Sequence, residues 1–303
     1  MTSLKTVVGL GEILWDMLPS GRQLGGAPAN FAYCSHLLGD RGVVTSRVGS
    51  DKLGADIRQS LLALGLTDQF LQVDAEHPTS TVQVQVDPGG QPRFEIVDQV
   101  AWDFLEWTPT WKALAQSVDA VCFGSLAQRY SQSRETILKF VEATGPDALR
   151  IFDVNLRQGF YSFETISESL TKSNVVKLNH EEVPVVRELL HIEARDQASF
   201  CHEIIEKFGL KLICITRGSN GSLLCDRDTE QEHPGFSIHV KDTIGAGDAF
   251  TAALVHELLR GSTLEQMNDS ANRMGAWVAS NHGAMPGLPE GGLTEALAEL
   301  QPR

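Results

Sequence analysis

No apolar run in this 303-residue chain is long enough to cross a bilayer, which argues against an integral membrane protein. No long block of lysine and arginine is present, and the formal net charge is −14. Nucleic acid and anionic membrane surfaces are therefore poor partners. Cysteine is scarce and odd in number: the five are Cys34, Cys122, Cys201, Cys214 and Cys225, with no Cys-x-x-Cys. That excludes a disulfide framework, and contexts such as Val121-Cys122-Phe123 read as reduced core positions of a cytoplasmic protein. The nine histidines show no metal-ligand spacing. The first residues lack a signal-peptide pattern, because Lys5 interrupts them and the apolar run Thr6–Leu10 is short. Two nucleotide fingerprints are also missing. Gly9-Leu10-Gly11 has Leu14 where a dinucleotide motif needs its third glycine, and no Gly-x-x-x-x-Gly-Lys-Ser/Thr occurs.

What remains is ordinary globular composition, 42% hydrophobic and 21% charged, ample for a large core. From Asp119 onward, strands and helices alternate: strands at Ala120–Phe123, Arg150–Val154, Val175–Lys177 and Leu212–Thr216, helices at Ser133–Glu142, Glu164–Thr171, His180–Leu190 and Gln197–Phe208. This predicts a parallel sheet covered on both faces. Strand Leu4–Leu10 and strand Gly42–Val48 fit the same sheet. Thr79–Val86 alternates in polarity and, after the turn Asp87-Pro88-Gly89-Gly90, returns through Pro92–Val97 as a hairpin. An isolated hairpin is marginal in water, so Ile13–Leu18 is expected to join it in a small separate sheet. Phe236–Val240 reads as an extended lead into helices at about Ile244–Leu259, Leu264–Ser280 and Leu293–Leu300.

Two stretches carry chemistry. In Asp242-Thr243-Ile244-Gly245-Ala246-Gly247-Asp248, glycines turn a loop into an apolar helix, whose unpartnered N–H groups suit an anion. A carboxylate beside a bound phosphate is repelled, so Asp248 reads either as a helix cap or as the base that takes a proton during hydroxyl phosphorylation. In Leu24-Gly25-Gly26-Ala27-Pro28-Ala29-Asn30, a double glycine admits close approach to the backbone, Pro28 suits a first helical turn, and Asn30 can donate to and accept from hydroxyls. Asp16, among apolar neighbours, is an edge residue or a hydroxyl acceptor. Further polar groups fall at carboxyl ends of strands, where ligands bind in such sheets: Asp153-Val154-Asn155-Leu156-Arg157, Asn179 with Glu182, and Thr216 to Gly221. Asn179 and Glu182 also fit a capping box, which is purely structural.

Together these motifs resemble the ribokinase-type, or phosphofructokinase-B-type, carbohydrate kinases over nearly the whole chain. The resemblance implies a three-layer α/β/α fold with a mostly parallel central sheet and a small β lid. The chain would then be one such domain over 1–303, its lid formed from about 13–22 and 79–101. It also implies Asp248 as base, Gly245, Ala246 and Gly247 as anion hole, and Arg157 near the transferred phosphate or the sugar. Asp16, Gly25, Gly26, Asn30 and Phe94 would bind sugar. Asn179, Thr216, Gly218, Gly221, Asn272 and Ala276 would line ATP, and Glu182 with Asn179 would order its hydrated Mg²⁺. A K⁺ ion is implied more weakly at Asp242, Ile244 and Gly283. No lysine sits in the anion-hole motif, so Arg157 and Mg²⁺ would supply the positive charge.

Within that family, Gly11-Glu12-Ile13-Leu14-Trp15-Asp16 and Ala101-Trp102-Asp103 look most like fructokinases. The expectation is ATP-dependent phosphorylation of a primary hydroxyl, D-fructose giving fructose 6-phosphate. The alternatives are 2-keto-3-deoxygluconate kinase, ribokinase, or a non-catalytic sugar-binding scaffold on the same fold. Arg93 reads as the only lid arginine, which leans toward a neutral sugar. Lid packing between two copies would give a homodimer.

Overall fold

A computed structural model describes residues 4–18, 21–86 and 92–303. The turn expected at Asp87 to Gly90 lies outside them, as do the side chains of Arg93 and Phe94. In chain order the first half runs β1 (Thr6–Leu10), β2 (Leu14–Leu18), β3 (Gly21–Gly25), α1 (Ala27–Leu37), β4 (Arg41–Gly49), α2 (Lys52–Ala63), β5 (Leu71–Asp74), β6 (Thr81–Val86), β7 (Pro92–Ile96) and α3 (Pro109–Ala115). Then come β8 (Ala120–Phe123), α4 (Ser131–Glu142), β9 (Leu149–Asp153), α5 (Phe163–Lys172), β10 (Val175–Asn179), α6 (Glu182–Leu189), α7 (Gln197–Phe208) and β11 (Leu212–Thr216). The chain finishes with β12 (Ser222–Cys225), β13 (Glu230–His233), α8 (Ala246–Leu258), α9 (Leu264–Ala279) and α10 (Leu293–Ala298).

The large sheet has the order β13-β12-β11-β10-β9-β8-β1-β4-β5. It is parallel from β11 to β5, and β12 and β13 are antiparallel at one edge. The period-two alternation of its strands sorts the core into two layers. Val8, Leu10, Phe123 and Phe152 pack with Trp111, Phe140, Ile166 and Phe200 on one face. Val7, Cys122, Ile151 and Cys214 pack with Phe31, Ile57, Leu254 and Met274 on the other. All five cysteines are buried and unpaired. Strand β1 is flanked by β4 on one side and β8 on the other, so the order reverses there and opens a crevice beyond Leu10, as doubly wound sheets do at their ligand sites. No helix among the described residues is long and apolar enough to cross a membrane.

The second sheet has the order β3-β2-β6-β7, with β2 and β6 parallel and both ends antiparallel. Strand β3 is an addition to the sequence reading. Its glycine ends and two polar residues give no alternation to read. Strand β13 escaped for a similar reason: Glu-Gln-Glu-His is polar throughout, as an edge strand can be. Phe236–Val240 forms no strand, and only Phe236 makes a bridge, to Pro302. Arg22 on β3 is a second arginine of the smaller sheet beside Arg93, but its guanidinium is committed to Asp56 at 2.7 Å and stacks 4.6 Å from the Trp15 ring.

Asp51 ties the two sheets together. Its carboxylate caps α2 by accepting from Gly54 N–H, and it also accepts from the backbone and hydroxyl of Thr79, where the chain enters β6. These bonds outweigh the cost of burial and hold its carboxyl below the usual range. Asp51→Ala should lower stability by about 1–2 kcal/mol, the upper range for a helix cap, read as a lower urea midpoint at unchanged slope.

Candidate active site

Gly245 starts the anion loop. Its φ of +77° lies in the left-handed region, and a Cβ there would come within 2.5 Å of the Ala284 Cβ. Only glycine lets the chain turn into α8 at this point, where the Ala246 N–H donates to the Thr243 carbonyl at 3.3 Å. Asp248 follows in the first turn and accepts from Asn30 Nδ2 at 2.8 Å. Burial and then the charge of Asp153 push its carboxyl up to about 6, against the pull of Asn30, Lys177 and Arg157. A carboxyl in that range is a stronger base than a solvated aspartate and is still ionised at neutral pH.

Asp248 opens onto a cavity of about 520 Å³, also lined by Glu12, Asp16, Gly26, Asn30 and Arg157. Val82 and Ile96 of the smaller sheet form part of its wall. Gly25 is off the wall and acts through the backbone. It pairs with Leu14 across β2 and β3, and a Cβ would sit 2.3 Å from Asp16 Oδ2. Gly25→Ala therefore displaces the Asp16 carboxylate; if Asp16 contacts the ligand of this cavity, the variant should weaken that ligand's binding about 10-fold or more, read by titration calorimetry. Asp16 is itself pushed up to about 6 by burial and by Asp242, with Arg157 opposing. Phe94 pairs with Val84 in the backbone register of the lid hairpin.

A second cavity, of about 400 Å³, gathers Thr216, Gly218, Gly221, Asn272 and Ala276. It also holds residues the motifs did not mark: Phe236, Ile238, Val240 and Phe250 supply an apolar wall suited to a flat heterocycle. The amide of Asn272 is largely committed to Ser222 and Asn268, so its part there is to shape the wall. The two cavities share Asn179, Thr216, Thr243 and Gly247. Gly247 thus stands at their junction, one residue before Asp248.

The residues expected at metals are placed as follows. Glu182 accepts at one oxygen from Leu156 N–H and at the other from Asn179 N–H, each at 2.8 Å, while Asn179 Oδ1 accepts from Glu181 and Glu182 N–H. This is the capping arrangement. Burial raises the Glu182 carboxyl, with Lys177 pulling it down. Glu182 is 5% exposed and lies off both cavity walls, whereas Asn179 lines both. Asp242 bridges the loop in a comparable way, accepting from Ile244 N–H at 3.0 Å and Gly283 N–H at 3.1 Å.

Two site residues escaped the motif reading. Glu12 is 3% exposed, and its Oε2 has no hydrogen-bond partner. Burial raises its carboxyl to about 7. Lys177 lines the larger cavity together with Asp248, so a lysine does stand near this loop, though from β10 and not from the motif. Burial disfavours its charge, but Asp153, Glu182 and Asp248 outweigh that and raise its pKa.

Comparisons with known proteins bear on the family and the fold. The family model described as pfkB family carbohydrate kinase matches residues 21–291. The chain is 29% identical to the fructokinase of Escherichia coli over 299 residues, covering 92% of this chain and 95% of that one. It is similar in structure to an uncharacterized sugar kinase from Pyrococcus horikoshii in complex with ATP, with a TM-score of 0.78 and 27% identity over 93% of this chain and 94% of that one. It is also similar to the fructokinase of Vibrio cholerae O395 in its fructose, ADP and calcium ion bound form, with a TM-score of 0.79 and 25% identity over 98% of this chain and 99% of that one. With a ribokinase-like fold, a glycine loop at the head of α8 and a family match across most of its length, the chain belongs to the PfkB family of carbohydrate kinases, phosphotransferases with an alcohol group as acceptor.

Proposed function

We propose that the chain is an ATP-dependent fructokinase that phosphorylates the primary hydroxyl of D-fructose at carbon 6. The observation that carries this reading is the junction at Gly247, where the acceptor-side cavity holding Asp248 meets the apolar nucleotide-side cavity. Asp248 takes the proton of the attacking hydroxyl while Asn30 holds its other side. The N–H groups of Gly245, Ala246 and Gly247 receive the phosphoryl oxygens, and Arg157 faces the same space. Asp16 and Asn30 bind sugar hydroxyls, with Gly25 and Gly26 giving the backbone room and Phe94 on the lid strand. The lid then folds over and excludes water, the competing acceptor. Thr216, Gly218, Gly221 and Ala276 line the nucleotide.

A hydrated Mg²⁺ ordered near Asn179 and Glu182 would neutralise phosphate charge, and K⁺ would sit by the Asp242 loop. The protein would work in the cytoplasm, as a homodimer through its lids; molar mass in solution tests the pairing.

The choice of sugar rests on charge as well as on relatives. Glu12, Asp16 and Asp248 all face the acceptor cavity, whose cations are Arg157 and Lys177. Three carboxyls disfavour an anionic acceptor such as 2-keto-3-deoxygluconate, and Arg22 is committed elsewhere. The test is turnover across fructose, 2-keto-3-deoxygluconate, ribose, adenosine, tagatose and glucose, with Mg²⁺ and with or without K⁺. Turnover confined to fructose supports the proposal; preference for another sugar overturns the substrate and keeps the chemistry.

The same carboxyls set a pH dependence. Asp248 acts as a base only when ionised, and its folded value, about 6, lies above the ordinary 3.8. As pH falls through about 6 the base is lost, so kcat/KM should drop roughly tenfold per unit below that point, where a solvated aspartate would hold activity to about pH 4. A kcat/KM profile from pH 5 to 8 reads the limb directly.

A further inference from the structure

We propose that Lys177, held by Asp153, supplies the fixed positive charge behind the Gly245–Gly247 loop that stabilises the phosphoryl group during transfer. The proposal rests on the phosphotransfer reading above but not on which sugar is the acceptor.

Lys177 is the third residue of β10, where the flanking Val176 and Leu178 enter one core layer and Lys177 itself points to the α8 side. It stands opposite Asp153 in the parallel register of β9 and β10. Their side chains are 7% and 6% exposed, and Nζ lies 3.1 Å from Asp153 Oδ1. The other Asp153 oxygen lies 3.0 Å from the Thr251 hydroxyl, which is also 3.0 Å from the Gly247 carbonyl oxygen. Nζ itself is 3.1 Å from where a Cβ on Gly247 would be. The ammonium therefore rests on the bare face of the glycine that stands at the junction of the two cavities, and the Asp153–Thr251 bridge fixes both to one frame.

Two arguments favour a chemical role over a structural one. Removing two charges from water is costly, and apolar pairs of similar size are often as stable. The neighbouring inward positions of this sheet, Cys122, Val175 and Cys214, are indeed apolar. A fixed charge in a dry site also acts strongly on charge that develops in the transition state and needs no reorganisation as it does so. Of the two cations on the acceptor cavity, Arg157 is exposed and Lys177 is buried beside the loop. In the step, the sugar oxygen bonds to the γ-phosphorus as the bond to the β,γ-bridging oxygen breaks. The hydroxyl proton goes to Asp248, and the bridging oxygen leaves with ADP. Lys177 gains and loses no proton.

Lys177→Met should lower turnover by about 10²–10³-fold, the scale for losing one preorganised stabiliser, with sugar KM within about 3-fold. That variant leaves Asp153 buried and unpaired, so the decisive protein is the double variant Asp153→Asn with Lys177→Met, which removes the pair without stranding a charge. A pair that only held the sheet together would leave the folded double variant within about 3-fold of normal turnover, and that result overturns the proposal. A second readout needs no sugar turnover. MgADP with aluminium fluoride, a planar mimic of the transferred group, should raise the wild-type melting midpoint above MgADP alone. Both variants should lose that increment and keep the MgADP shift. A wild-type protein that gains nothing from aluminium fluoride, or variants that keep the gain, sinks the charge role. A wild-type protein that responds to aluminium fluoride but phosphorylates no sugar on the panel retires the fructokinase reading and leaves Lys177 judged on its own evidence.

Discussion

Asp248→Asn is expected to lower turnover by about 10²–10⁴-fold, the usual contribution of a positioned general base, with sugar KM nearly unchanged. The side chain keeps its size, and an amide oxygen can still accept from Asn30 Nδ2, now at 2.8 Å from the carboxylate. Binding geometry therefore survives while the proton has nowhere to go. The variant should also be more stable than the parent at pH 7, by about 1 kcal/mol. The sign follows from linkage: a carboxyl raised from 3.8 to about 6 binds protons more tightly folded than unfolded. Its ionisation therefore weakens the fold as pH rises through that window, and an amide removes the penalty. Asp248 is partly exposed to its cavity, so solvent discounts the shift and the gain is put well below the full conversion. Steady-state kinetics beside urea denaturation checks both halves. Normal turnover would remove Asp248 from the reaction, and a clear loss of stability would mean the residue was chiefly a cap. Gain of stability with loss of activity is the mark of a strained functional site.

What was legible in the sequence was the chemistry written in local order. The Gly245–Asp248 and Gly25–Asn30 stretches announce themselves because turns, helix starts and anion loops need particular residues at consecutive positions. Alternating elements gave the parallel sheet, since helical and strand periods differ enough to read. The apolar wall of the second cavity was less visible: Phe236 and Ile238 look like a strand, but Pro234 and Gly235 precede a segment that crosses the cavity with a single bridge, Phe236 to Pro302. Lys177 could not be found from its own neighbours. Its partner Asp153 is 24 residues away, its chemistry depends on Gly247, and a lysine in an apolar strand carries no signature of what it meets. Glu12 was hidden inside an incomplete glycine fingerprint. A buried cation in mid-strand and an acid at the end of the switch-point strand are the signals that would have marked both.

Arg129→Met should be the most destabilising single change outside the site, costing about 3–5 kcal/mol, because it strands a carboxylate in the core. Arg129 and Asp103 are 2% and 0% exposed. The guanidinium meets both carboxylate oxygens at 2.7 Å, in the bidentate form that suits arginine. It also donates to the Val97 carbonyl at 2.7 Å and lies 4.1 Å from the Trp102 ring and 4.9 Å from the Phe160 ring. Asp103 in turn accepts from Val100 N–H. Val97 is the residue at which the chain leaves β7, so this pair fixes where the lid hairpin rejoins the large sheet. The double variant Arg129→Met with Asp103→Asn should recover much of the lost stability, since no bare charge remains. It should still raise sugar KM, because Val97 loses its anchor and Ile96, on the cavity wall, moves with it. Equal destabilisation in the single and double variants would show that ring packing, and not the buried charge, carries the energy. Full stability of the double variant with unchanged KM would show that Arg129 does not hold this return path, which also carries the bonds from Val97 N–H to the Thr81 carbonyl and from Ala101 N–H to the Pro78 carbonyl.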